Sequence, residues 1–137
     1  MKSTFFRTAV VLGLVSAIGP FAIDMYLPAF PEIAAGLHTS TARISLSISS
    51  YFAGLAVGQV FYGPLLDRFG RKPPLYAGLT LFAVASLLCM MARTSEWLVA
   101  MRFLQALGGC SAAVASMAMV RDFFPVRETA KIISLLI

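Results

Sequence analysis

Charge is scarce in this chain: only 12% of its 137 residues are Asp, Glu, Lys or Arg. That scarcity excludes an ordinary water-solvated surface, because soluble domains carry about a quarter of their residues as charges. Histidine and tryptophan occur once each, as His38 and Trp97, and cysteine twice, as Cys89 and Cys110. Neither the lone histidine nor the widely spaced cysteines have the pattern of a zinc site or a redox pair, so the cysteines read as packing residues. A nucleophile-base pair, a metal cluster and a phosphate loop are also missing, and no enzyme and no cofactor are expected. Linkers, low-complexity tracts and a second soluble domain do not occur.

What is abundant is apolar. Hydrophobic residues make up 59% of the chain, and the mean hydropathy is +0.85. Apolar stretches of about 20 residues recur, each long enough to cross a hydrocarbon core of about 30 Å at about 1.5 Å per residue. The expected fold class is therefore an all-α polytopic membrane protein, with the lipid bilayer as its first partner. Hydropathy predicts four transmembrane helices at about 8–30, 44–66, 75–92 and 96–120, and the start of a fifth from about 132. Lys2 and Arg7 before an apolar run resemble a signal peptide. The run, however, continues through Asp24 to Phe30, too long for a signal core, and no small-x-small cleavage site follows. Ile132 to Ile137 is too short to cross a bilayer, so the chain is expected to be a piece of a longer protein.

The net charge of +5 does not point to nucleic acid, because the cations sit in short loops without an aromatic-rich soluble surface. They orient the helices instead. Lys2, Arg7, Arg68, Arg71, Lys72, Arg121, Arg127 and Lys131 fall on one side, and only Arg43 and Arg93 on the other. Eight against two predicts a cytoplasmic N-terminus. Three spans also carry a small or polar stripe at helical spacing: Gly13, Ser16, Pro20 and Asp24 in the first; Ser47, Tyr51, Gly54 and Gly58 in the second; Arg102, Gln105, Gly109 and Ser116 in the fourth. The third span, Leu75 to Ala92, has no ionisable side chain other than Cys89 and Tyr76, and is expected to face lipid.

Two full charges lie well inside apolar spans, Asp24 and Arg102. Such residues cost about 2.5 to 3.5 kcal/mol to insert and generally face a partner or a water-filled cavity. Counted along the helices, each lies about six residues, or roughly 9 Å, from the outer surface. Equal depth predicts a direct or water-bridged pair whose separation decides whether Asp24 holds a proton. Pro20 and Pro28 flank Asp24 and are expected to bend or loosen the outer half of the first span. A second cluster is the decamer from Gly63 to Lys72, GPLLDRFGRK, between the second and third spans. Gly63 and Gly70 allow close packing and a tight reversal. Asp67 is placed to pair with Arg71 or to accept from a helix N-terminus, as a latch made in one conformation. The Arg121 to Lys131 segment, with Asp122, Arg127 and Glu128, reads as interfacial anchoring.

These residues resemble a family. Residues 63–75, GPLLDRFGRKPPL, are similar to the loop between the second and third helices of major facilitator transporters. Residues 24–31, DMYLPAFP, resemble the first-helix motif of proton-coupled drug exporters, and IDMYLPA is similar to the bicyclomycin-resistance (Bcr/CflA) branch. Residues 101–108, MRFLQALG, resemble the fourth-helix arginine motif, and Val120-Arg121-Asp122 suits the same branch. The resemblance implies a twelve-helix protein of two six-helix halves, of which residues 1–137 are part of the N-terminal half. It implies multidrug efflux by proton antiport across the bacterial inner membrane, driven by the proton gradient and acting on small hydrophobic drug-like substrates. Asp24 would then couple protons and Arg102 would tune it. Gly63, Asp67, Arg68, Gly70 and Arg71 would form a conformational latch. Tyr26, Tyr51, Gln59, Tyr62 and Gln105 are candidate substrate-lining residues, and the remaining helices of the parent are the expected partners.

Other functions remain open at this stage. A complete four-helix transporter working as a dimer conflicts with the short fifth apolar run. Uptake or export of a metabolite by the same fold, and a noncatalytic membrane subunit or inactive remnant, are compatible with these residues.

Overall fold

The computed structural model describes residues 2–123 and residue 134, with side chains from Phe6 onward. The described residues are all helical apart from short turns. In chain order the helices are α1 (Lys2–Asp24), α2 (Phe30–Gly36), α3 (Thr41–Phe69), α4 (Lys72–Met90) and α5 (Ser95–Phe123), with a single 3₁₀ turn at Leu27–Ala29 before α2. Four stretches are long and apolar enough to cross a membrane: Phe6–Gly36, Thr41–Phe69, Lys72–Met90 and Ser95–Phe123. The predicted fifth span, and the charges at Arg127, Glu128 and Lys131, lie outside the described residues.

Local sequence explains the boundaries. Ser40 caps α3 by accepting from Arg43 N–H at 3.3 Å, and Thr94 does the same for α5 through Trp97 N–H at 3.2 Å. Gly70 ends α3 at φ +82°, a left-handed conformation that a side chain resists, and Pro73 and Pro74 open α4, where a missing N–H costs nothing. At the end of α2, His38 occupies the left-handed position at φ +49°, with Thr39 N–H on Ala34 O and His38 N–H on Ala35 O closing the turn.

The first span differs from its expected form. Hydropathy continues to Phe30, but α1 stops at Asp24 and the chain reaches α2 through turns. Pro28 and Pro31 are the physical reason, since neither can donate to a continuing ladder. Pro20, expected to loosen the helix, lies inside α1, which runs through it.

Burial is inverted relative to a soluble protein. Ser47, Ser111 and Ser116 are fully enclosed and Arg102 and Gln105 nearly so, whereas Leu14, Phe21, Val60 and Phe61 lie exposed, Val60 at 72%. A helical bundle in lipid has this arrangement: apolar side chains face hydrocarbon, and polar groups turn inward between helices. The centre is α5, which packs against α3, α4 and α1. Glycine permits the closest approaches. A Cβ on Gly54 of α3 would stand 2.6 Å from Phe103 O of α5, and one on Gly108 of α5 would overlap the Phe82 backbone of α4. Gly63, expected to serve close packing, has no neighbour within 4 Å of its Cβ position among the described residues.

Candidate functional site

Polar side chains gather at two levels of the bundle, one at the end that carries α2 and one at the end that carries the α3–α4 turn. At the α2 end, Arg102 projects from α5 and is only 7% exposed. A charge buried there must be compensated by its neighbours. The compensation comes from neutral groups. Arg102 Nη1 donates to Gln105 Oε1 at 2.8 Å and to Ala22 O of α1 at 3.3 Å. Its Cζ lies 3.5 Å from the ring centroid of Tyr26 and 5.7 Å from that of Tyr51. A desolvated cation over an aromatic face is stabilised by about 2 kcal/mol. Gln105 Nε2 passes the chain on to Ser86 Oγ of α4 at 2.7 Å, so one polar line ties α1, α5 and α4.

No direct ion pair joins Asp24 to Arg102 among the described residues. Asp24 is exposed at the last turn of α1, and among the described residues no ion pair involves either side chain. Depth along the axis had matched, but rotation about the axis had not: Arg102 reaches the α1 backbone at Ala22, two residues before the carboxylate. Asp24 instead lines a cleft of about 300 Å³ between α1, α3 and α5, with Ser16, Gly19, Leu55, Gln59 and Cys110 among its walls.

The candidate substrate-lining residues divide accordingly. Gln59 shares the cleft with Asp24, whereas Tyr26 and Gln105 line a different pocket of about 520 Å³ beside Arg102, under α2. Tyr51 is enclosed and donates to Gly19 O at 3.4 Å, so it packs α3 on α1 rather than lining open space. Tyr62 is half-buried. Ser47 escaped notice as a functional partner, although its hydroxyl meets Tyr26 OH at 2.6 Å; its place on the Tyr51 and Gly54 stripe was the available signal.

At the turn end, Arg71 is the hub. Its Nε donates to Asp122 Oδ2 at 2.9 Å and its Nη1 to Asp67 Oδ1 at 3.0 Å. The bond to Asp122, and then that to Asp67, hold the Arg71 guanidinium above its ordinary range. Asp122 had been assigned to interfacial anchoring, and the structure corrects that: it joins α5 to the α3–α4 turn. Arg68 stays outside this group, with its Cζ 5.4 Å from the Phe69 ring. A cleft of about 520 Å³ opens here, lined by Gly63, Asp67, Arg71, Arg121 and Asp122. No group of acidic, histidine or cysteine side chains suited to a metal ion occurs among the described residues.

The arrangement is thus a membrane bundle with a charged cleft wall at one level and a breakable ion-pair hub at another. Its sequence has matching relatives. The chain is 44% identical over 128 residues to an uncharacterized MFS-type transporter, YdgK, of Bacillus subtilis, covering 93% of this chain and 32% of that protein. It is also 44% identical over 117 residues to the multidrug resistance protein MdtL of Escherichia coli, covering 85% of this chain and 30% of MdtL. The chain spans about a third of the length of these curated relatives. Residues 12–137 match the family model described as Major Facilitator Superfamily. With its spanning helices, this match identifies the chain as a member of the Major Facilitator Superfamily of multi-pass membrane transporters.

Proposed function

We propose that residues 1–137 form part of the N-terminal half of a bacterial inner-membrane exporter that exchanges small hydrophobic drug-like molecules for protons, with its N-terminus in the cytoplasm. The observation that carries this reading is Asp24: a carboxylate at the end of an apolar helix, without a cationic partner among the described residues, on the wall of the 300 Å³ cleft. Acids within spanning segments are costly, face a partner or a water-filled cavity, and mark ion pathways and proton relays. The relative named for multidrug resistance favours export, and the IDMYLPA stretch resembles the bicyclomycin-resistance branch.

In this reading Asp24 alternates between protonated and charged forms as the cleft opens to either side. Arg102 acts on it through the backbone of α1 rather than by direct pairing. The Asp67–Arg71–Asp122 hub holds α5 to the α3–α4 turn in one gate state, and exposed ion pairs suit that task because they break at small cost. The test is Asp24→Asn in the full-length parent, reconstituted in vesicles with an imposed proton gradient. Efflux of a hydrophobic dye is expected to fall to the protein-free background while the variant still inserts. Undiminished efflux would reject the coupling role.

A further inference from the structure

The break in α1 after Asp24 is held from outside the helix. Met25 N–H still bonds Phe21 O at the α spacing, 3.1 Å, but Tyr26 N–H turns to Ile23 O at 3.0 Å. Ala22 O is thereby left at the helix end, where carbonyls need an external donor. Arg102 Nη1 of α5 supplies one, and the same guanidinium lies flat against the Tyr26 ring. Tyr26 is itself enclosed, at 8% exposure. Ser47 commits its hydroxyl hydrogen to Ile44 O, so the Tyr26 hydroxyl is the donor in the 2.6 Å bond to Ser47 Oγ of α3. Phe30 meets the ring edge-on at 5.1 Å between centroids. Three elements, α2, α3 and α5, therefore converge on one side chain two residues beyond Asp24.

We propose that Tyr26 is a positioning residue for Asp24. Its ring, braced by Arg102, and its hydroxyl, anchored on Ser47, fix the break in α1 so that Asp24 faces the cleft it shares with Gln59. The backbone between Ala22 and Tyr26 is clamped at both ends, and Asp24 sits at its middle. Pro28 and Pro31 end the helix, and the contacts of Tyr26 fix the direction in which the chain leaves it. The consequence for transport rests on the proposed coupling role of Asp24; the orientation of Asp24 does not.

The test uses the full-length parent on a cysteine-free background, including Cys89→Ser and Cys110→Ser. Asp24→Cys is labelled with N-ethylmaleimide, and Gln59→Cys on the facing wall of the cleft serves as control. Adding Tyr26→Leu, which removes both the ring and the hydroxyl, is expected to change the Asp24→Cys labelling rate about fivefold. Gln59→Cys should stay within about twofold. Tyr26→Phe keeps the aromatic face under the guanidinium and should restore most of the original rate. Unchanged Asp24→Cys labelling in the Tyr26→Leu protein overturns the proposal, and so does an equal change at Gln59→Cys, which would mean general loosening of the cleft. If labelling responds as expected while Asp24→Asn still pumps, Tyr26 positions residue 24 and the coupling reading is the one that fails.

Discussion

The two arginine centres solve opposite problems. Arg102 is buried, has no carboxylate in ion-pair contact among the described residues, and is balanced by a carbonyl, an amide and a ring. Arg71 is 30% exposed on its side chain and meets two carboxylates. A buried charge held by neutral dipoles is expensive to disturb, because every partner left behind is an unsatisfied polar group away from water. An exposed ion pair exchanges with solvent at little cost, generally under about 1 kcal/mol. The first centre is thus suited to fixing a geometry and the second to being made and broken.

Substitutions at three positions probe that contrast through the thermal unfolding midpoint and efflux of the purified parent. Arg102→Ala should have the largest effect: it empties a filled site and strands Ala22 O and Gln105 Oε1, a loss of about 2 to 4 kcal/mol. Arg102→Lys should not rescue it, since an ammonium lacks the planar face that stacks on Tyr26. Ser47→Ala should cost about 1 to 2 kcal/mol by leaving the Tyr26 hydroxyl unpaired in an enclosed position. Asp122→Asn should leave stability nearly unchanged, because the carboxylate is 48% exposed on its side chain and the ion pair is screened by solvent. Its signature lies elsewhere: the rate of labelling at a cysteine placed at Gln59, which borders both clefts, should shift with the gate equilibrium. A stability loss from Asp122→Asn as large as that from Arg102→Ala would erase the distinction between the two centres.

Much of this organisation can be read in the residues. Long apolar runs mark the four spanning stretches, and Gly70 marks the reversal that ends α3. The early end of α1 was less legible, because hydropathy carries on past Asp24 while the backbone, with Pro28 and Pro31 ahead, cannot. Depth along a helix follows from residue counting, and it placed Asp24 and Arg102 at one level. Rotation about the helix axis depends on how α1 seats on α5, and this turned Arg102 to a carbonyl instead of the carboxylate. Asp122 was hidden for a related reason. Its bond to Arg71 spans 51 residues of sequence and exists only because α5 lies alongside α3 and α4.

Proton release on substrate binding tests the central claim most directly. Hydrophobic drugs are added to the purified full-length parent in weakly buffered detergent, and wild type is compared with Asp24→Asn. Release from the wild type that disappears in the variant is the predicted result, since Asp24 is assigned as the group that exchanges its proton for the drug. Equal release from both proteins would contradict that assignment.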